Sequence, residues 1–253
     1  MDAHGELAVD PLGGPDQLQA EADPTEDVNG KDAAAKMAII ARLAFDTPVH
    51  IDQVTYEGIE LITADDMEYA RELRLGLKLI GTAERIDGRL AVRVHPAFLY
   101  SGHPLASVHG PFNAVTVESE AITEITMSGP GAGGPQTASA VLGDVISAMI
   151  PPASTPETTQ ALEIIDDVES SFYLHMEVAD RPGVLAQVAL VLGEHGASIK
   201  SVVQKGLGEK ARLVMVVHPM LESRFFAAVE EISALDFLRS PPRAIRVIDE
   251  EFV

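Results

Sequence analysis

The sequence predicts an α+β protein, with a mixed or antiparallel sheet carrying helices on one face, followed by a ferredoxin-like βαββαβ domain. Three observations lead there. The chain has 253 residues, and at about 150 residues per domain that suggests two domains. The first half carries several runs that alternate apolar and polar residues, the mark of strands with one face in water. The last third reads strand, helix, strand, strand, helix, strand in unbroken order.

Residues 1–18 are rich in Gly, Pro and Asp without an apolar period, and read as a loose tail. The first domain is expected over 19–150. Asn29-Gly30 supplies a turn, and the Ala-rich Lys31–Phe45 that follows reads as a helix. His50–Ile62 alternates like a strand, and Thr-Ala-Asp-Asp then opens a short helix over Asp65–Leu75. LKLIGTAERI, RLAVRVHPAF, NAVTVESE and AITEITMS read as successive strands. Residues 151–169 open with three prolines within six residues and carry several acids, the composition of a linker, with one helical turn expected near Leu162. In the second domain, 170–253, SFYLHMEVAD, SIKSVVQKGL, ARLVMVVHP and RAIRVIDEEF are strands. VLAQVALVLGEHG, ending at Gly196, and LESRFFAAVEEISAL are helices.

Composition removes several classes of function. There is no cysteine, so disulfides, thiol catalysis and thiolate metal sites are excluded. Eighteen Lys and Arg against 39 Asp and Glu give a net charge of −21, which repels phosphate backbones, and aromatics are only 5% with no Trp. No nucleic-acid partner is expected. No apolar run reaches the ~18 residues of a membrane helix, and the N-terminus lacks the pattern of a signal peptide, so no membrane partner and a cytoplasmic location are expected. The eight histidines form no metal-ligand pairing, and no metal is expected.

Three constellations remain. In EADPTEDVNGKDAAAK, Asp32 and Lys36 lie four apart and share a helix face, which continues through Ile39, Ile40 and Leu43. Such a pair is either an ordinary surface contact or the start of a core face. In the second case desolvation would lower the Lys pKa toward values useful for proton transfer. Upstream, Glu21, Asp23, Glu26 and Asp27 make an acidic turn suited to capping a helix or holding an ammonium group. In ITMSGPGAGGPQTASAVLGD, Gly129, Gly131 and Gly134 satisfy G-x-G-x-x-G between a strand and a helix. The motif is either a tight turn or a place for backbone to approach a phosphate or ring. In ADRPGVLAQVALVLGEHGASIKSV, Pro182-Gly183 feeds a helix whose free N–H groups could receive a carboxylate; a plain βα turn is the other reading.

These segments, with VTYEGIELI, HPLASVHGPFNAV and TASAVLGD, resemble the C-terminal part of the homoserine dehydrogenase family followed by an ACT domain, from about Glu21 to Val253. The resemblance implies NAD- or NADP-dependent interconversion of aspartate semialdehyde and homoserine in threonine, methionine and isoleucine biosynthesis. It implies Lys36 as proton donor and acceptor at the substrate oxygen, with Asp32 assisting, and Glu21 and Asp27 as ligands of the amino acid. Gly129, Gly131, Gly133, Gly134 and Thr137 would close on the cofactor. The ACT resemblance implies an amino-acid effector, threonine, at Asp180, Pro182, Gly183 and Val184, and assembly into a homodimer or larger oligomer. The sequence departs from the family in Gln19-Ala20 before Glu21 and in GPQTASA after the glycines.

The family's dinucleotide-binding domain lies upstream of the position of Glu21, and twenty residues cannot supply it, since one βαβ unit takes about 30. The chain alone is therefore expected to bind a dinucleotide weakly and turn over little. A non-catalytic amino-acid-sensing module, or a truncated product without activity of its own, is the alternative expectation.

Overall fold

The computed structural model describes residues 25–110, 112–131, 133–150, 161–206, 208 and 211–248. The chain divides into two compact units. One takes in residues up to His95 and Leu99–Ile164; the other takes in Pro96–Phe98 and residues from Ile165 onward. The division falls within the expected linker, of which residues 151–160 lie outside the described set.

The first unit begins with a one-turn helix, α1 (Thr25–Val28), which the sequence did not announce, followed by α2 (Lys31–Phe45). The expected strand over His50–Ile62 is absent. Its place is taken by a 3-10 turn at Ile51–Gln53 and the two-residue strand β1 (Thr55–Tyr56). The physical reason lies at Gly58, whose α-carbon packs against the backbone of Val28 and Asn29, while Ile59 N–H donates to Val28 O at 2.9 Å. A chain spent on that backbone contact is not free to continue a strand ladder.

α3 (Ala64–Leu73) starts from a capping box in which Thr63 N–H donates to Asp66 Oδ2 at 2.9 Å, and Asp66 N–H donates to Thr63 Oγ1 at 3.4 Å. β2 (Leu75–Ile86) and β3 (Arg89–Tyr100) form a hairpin through Asp87-Gly88. β1 runs parallel to β3, so the sheet is mixed. β4 (Phe112–Ser119) and β5 (Thr123–Pro130) make a separate antiparallel hairpin, and α4 (Gly134–Ala148) follows.

The core of this unit joins Ala34, Ala38 and Ala41 of α2 to Val54 and to Leu90, Val92 and Val94 of β3. The buried face of α2 is therefore its alanine face, and the expected core stripe through Lys36, Ile39 and Leu43 is corrected. Ile39 is 62% exposed and Leu43 80%. Small residues win because they let the helix lie close to the sheet. Gly81 of β2 makes the matching space, which Met37 fills. Among the described residues from 161 onward, the helical turn expected near Leu162 is not found. Leu162 lies in irregular backbone, its N–H donating to Thr47 Oγ1 at 3.3 Å, and β6 (Ile164–Ile165) then pairs with β3.

The second unit follows the expected order: β7 (Glu169–Glu177), α5 (Val184–Glu194), β8 (Ile199–Lys205), β9 (Arg212–Leu221), α6 (Glu222–Ser233) and β10 (Arg243–Ile248). Its strands lie in the order β10-β7-β9-β8, each antiparallel to its neighbour. Alternate residues of β7 (Phe172, Leu174, Met176) and of β9 (Leu213, Met215, Val217) meet Val188 and Leu192 of α5 and Phe225 and Ile232 of α6. The Phe172 and Phe225 rings stack with centroids 3.8 Å apart.

One buried ion pair closes this core. Arg246 Nε donates to Glu222 Oε1 at 2.8 Å and Arg246 Nη2 donates to Glu222 Oε2 at 2.5 Å, while Ser170 Oγ donates to Oε1 at 2.7 Å. The side chains of Arg246 and Glu222 are only 6% and 10% exposed. Removing one partner would leave the other charge buried. Glu222→Ala should therefore lower unfolding free energy by about 3–5 kcal/mol, and Ser170→Ala by about 1 kcal/mol, as read by denaturant titration of the second unit's transition.

Candidate functional site

The first expected site is built on the start of α2. Gly30, at φ +83°, turns the chain from α1 into α2 in a conformation that other residues adopt only with strain. A β-carbon there would stand 2.9 Å from Glu57 O, and one on Gly58 would stand 2.5 Å from the Asn29 α-carbon. Two bare backbones thus meet and fix where α2 begins.

From that start, Asp32 and Lys36 share one face. Lys36 Nζ donates to Asp32 Oδ2 at 2.6 Å, and the lysine side chain is 62% exposed. Of the two readings open for this pair, the surface contact holds: the amine is open to solvent and held by one carboxylate. Asp27 lies half-buried in α1. Glu21 and Asp23 lie outside the described residues.

A second lysine, which the spacing argument passed over, completes the acidic turn. Lys31 Nζ donates to Glu26 Oε1 at 2.5 Å, and this bond raises the Lys31 pKa above its ordinary value. The signal was present in the sequence as a lysine beginning the helix five residues after an acid.

The glycine-rich segment joins β5 to α4, as its spacing predicts. Its glycines are not equivalent. Nothing lies within 4 Å of where a β-carbon would stand on Gly129 or Gly134. At Gly131 that place is taken by the Asn113 carboxamide, and at Gly133 by the side chain of Gln136. Thr137 is exposed in the first turn of α4, its N–H donating to Gly133 O at 3.0 Å. A shallow depression of about 390 Å³ is bordered by Pro104, Ser107, His109, Phe112, Thr126 and Ser128, none of which belongs to the expected site.

The hairpin beneath this segment has two unlike faces. Val115, Val117, Ile125 and Met127 share one and are exposed. On the other, Glu118 stands opposite Glu124 in the ladder, and partial burial followed by the charges of Glu124 and Glu84 raises its pKa.

In the second unit, Gly183 caps α5 in the left-handed conformation, Pro182 is exposed and Val184 is buried as the first helical residue. Asp180 Oδ2 accepts from Gly208 N–H at 3.0 Å, and Arg239 Nη2 donates to Gly208 O at 3.0 Å. Among the described residues, no group of three or more His, Asp or Glu could hold a metal, and no helix is long and apolar enough to cross a membrane.

Residues 16–146 match the homoserine dehydrogenase family model, and residues 172–237 match the ACT domain model. The chain belongs to the homoserine dehydrogenase family. It is 42% identical over 260 residues to a homoserine dehydrogenase of Corynebacterium glutamicum, a match covering 98% of this chain and 58% of that protein. With the homoserine dehydrogenase of Mycobacterium leprae it shares 41% identity over 246 residues, covering 90% and 56%. The crystal structure of a homoserine dehydrogenase from Thiobacillus denitrificans superposes with a TM-score of 0.84 at 34% identity, covering 91% of this chain and 56% of that one. The chain thus spans a little over half the length of the homoserine dehydrogenases it matches, and its second unit carries the ACT domain.

Two measurements test this geometry. Gly58→Ala forces apart the backbones that position α2, and should cost about 1–3 kcal/mol of stability in a thermal melt. Glu118, with its folded pKa above the unfolded value, stabilises the protein below the unfolded pKa, and that contribution is lost as pH rises through the folded pKa. Glu118→Gln should therefore raise the melting temperature at pH 7 and leave it nearly unchanged at pH 4.

Proposed function

We propose that this chain forms the substrate-binding and regulatory portion of a homoserine dehydrogenase, acting in the NAD- or NADP-dependent interconversion of L-aspartate 4-semialdehyde and L-homoserine. The observation that carries the proposal is the accessible Asp32–Lys36 pair at the head of α2, within a chain 42% identical to a protein of that name.

Lys36 hands a proton to the substrate oxygen during reduction and takes it back during oxidation. Asp32 holds the amine in place through its hydrogen bond to Nζ. Asp27, with Glu21, faces the ammonium group of the amino acid. The open space at Gly129 and Gly134 fits close backbone approach to a dinucleotide, with Gly131, Gly133 and Thr137 completing that segment. A bound nicotinamide supplies the hydride chemistry. Orientation and proton transfer at the oxygen are the part played by this chain's own residues.

The ACT domain takes an amino-acid effector, threonine by chemistry and context, at Asp180, Pro182, Gly183 and Val184. The exposed apolar face of Val115, Val117, Ile125 and Met127 supports a homodimer, because a two-stranded hairpin gains little stability until that face is covered.

The test is Lys36→Ala in the chain supplied with the family's nucleotide-binding module. Homoserine-dependent reduction of NADP should fall by about a hundredfold or more, while calorimetric binding of threonine stays unchanged. An undiminished rate would remove Lys36 from the chemistry.

A further inference from the structure

We infer that Asn113 is the positioning residue of the glycine-rich segment, an assignment that rests on that segment receiving a dinucleotide. Asn113 sits on β4 opposite Gly129 of β5. Its carboxamide fills the space beside Gly131 so closely that a β-carbon on Gly131 would stand 2.5 Å from Asn113 Cγ and 2.9 Å from Oδ1, with Nδ2 nearer still. Real β-carbons do not approach other atoms so closely, and one of the two must move.

Gly131 has no left-handed backbone that would require glycine for its own sake. The bare α-carbon at 131 is what lets the exposed Asn113 carboxamide lie against this segment, and a β-carbon there would displace the end of that side chain. By contrast, Gly129 and Gly134 face open space, where a ligand can approach. Asn113 and Gly131 act as a lock within the protein, and Gly129 and Gly134 are the positions it presents. The lock works through fit: the amide packs on Gly131 just beyond the end of β5, and Gly134 at the start of α4 stays open.

This arrangement predicts a reversal that a ligand-facing Gly131 would not give. Alanine at 131 should push the carboxamide aside and shift the segment. With Asn113 already cut to alanine, the same substitution meets no obstacle. NADPH binding to the chain supplied with the family's nucleotide-binding module, followed by nicotinamide fluorescence, is measured for wild type, Asn113→Ala, Gly131→Ala and the double variant, beside the thermal midpoint of each. Each single substitution should weaken binding by about fivefold, the effect of losing one well-made contact. The double variant should bind no more weakly than Asn113→Ala alone, with all four melting within a few degrees of one another.

A double variant weakened by the product of the two single effects would overturn the lock while leaving the segment as a dinucleotide site. Loss of binding that tracks loss of thermal stability would make the pair merely structural. Wild-type protein that fails to bind NADPH would remove the site itself, and the role of Asn113 with it.

Discussion

The arrangement of the first unit depends on two stretches of backbone meeting without side chains between them. Residues 28–30, at the turn into α2, lie against residues 57–58, and glycine stands on each side of the contact. Because the contact is backbone against backbone, it fixes position more tightly than a meeting of flexible side chains would. The direction of α2 follows from it, since the alanines at 34, 38 and 41 can reach the β3 surface only if the helix starts at that height. The charged face of α2 follows in turn: once the alanines face inward, Asp32 and Lys36 are carried outward toward solvent.

Much of this was legible in the sequence where the deciding information is local. The limits of α2 came from Asn29-Gly30 and an alanine-rich run, and the six elements of the second unit came from period and punctuation. The inward face of α2 was misread, because Ile39, Ile40 and Leu43 are larger and more apolar than three alanines. Hydrophobicity alone favours them, whereas the choice is made by the space that Gly81 and β3 leave. The run from His50 to Ile62 alternates like a strand, but Gly58 is spent on a contact with residues far back in the chain, which no local pattern reports. The partnership of Asn113 with Gly131 was hidden for the same reason, each residue belonging to a recognisable motif whose meeting only the hairpin brings about.

The two units settle their polar groups differently. In the first, the charges at the head of α2 are accessible and paired over short sequence distances, Lys36 with Asp32 and Lys31 with Glu26. Such pairs add little to stability and leave the groups available. In the second, Glu222 and Arg246 are withdrawn from water and matched by two parallel hydrogen bonds. That geometry tolerates little displacement, and it suits a module whose strands must keep their register.

The same tie bears on the order in which the polypeptide matures during synthesis. Ser170, Glu222 and Arg246 leave the ribosome in that sequence, and the carboxylate has no guanidinium to meet until the final strand emerges. The earlier unit can condense while translation continues, whereas the later one must wait for its last strand before its interior can close around a balanced charge.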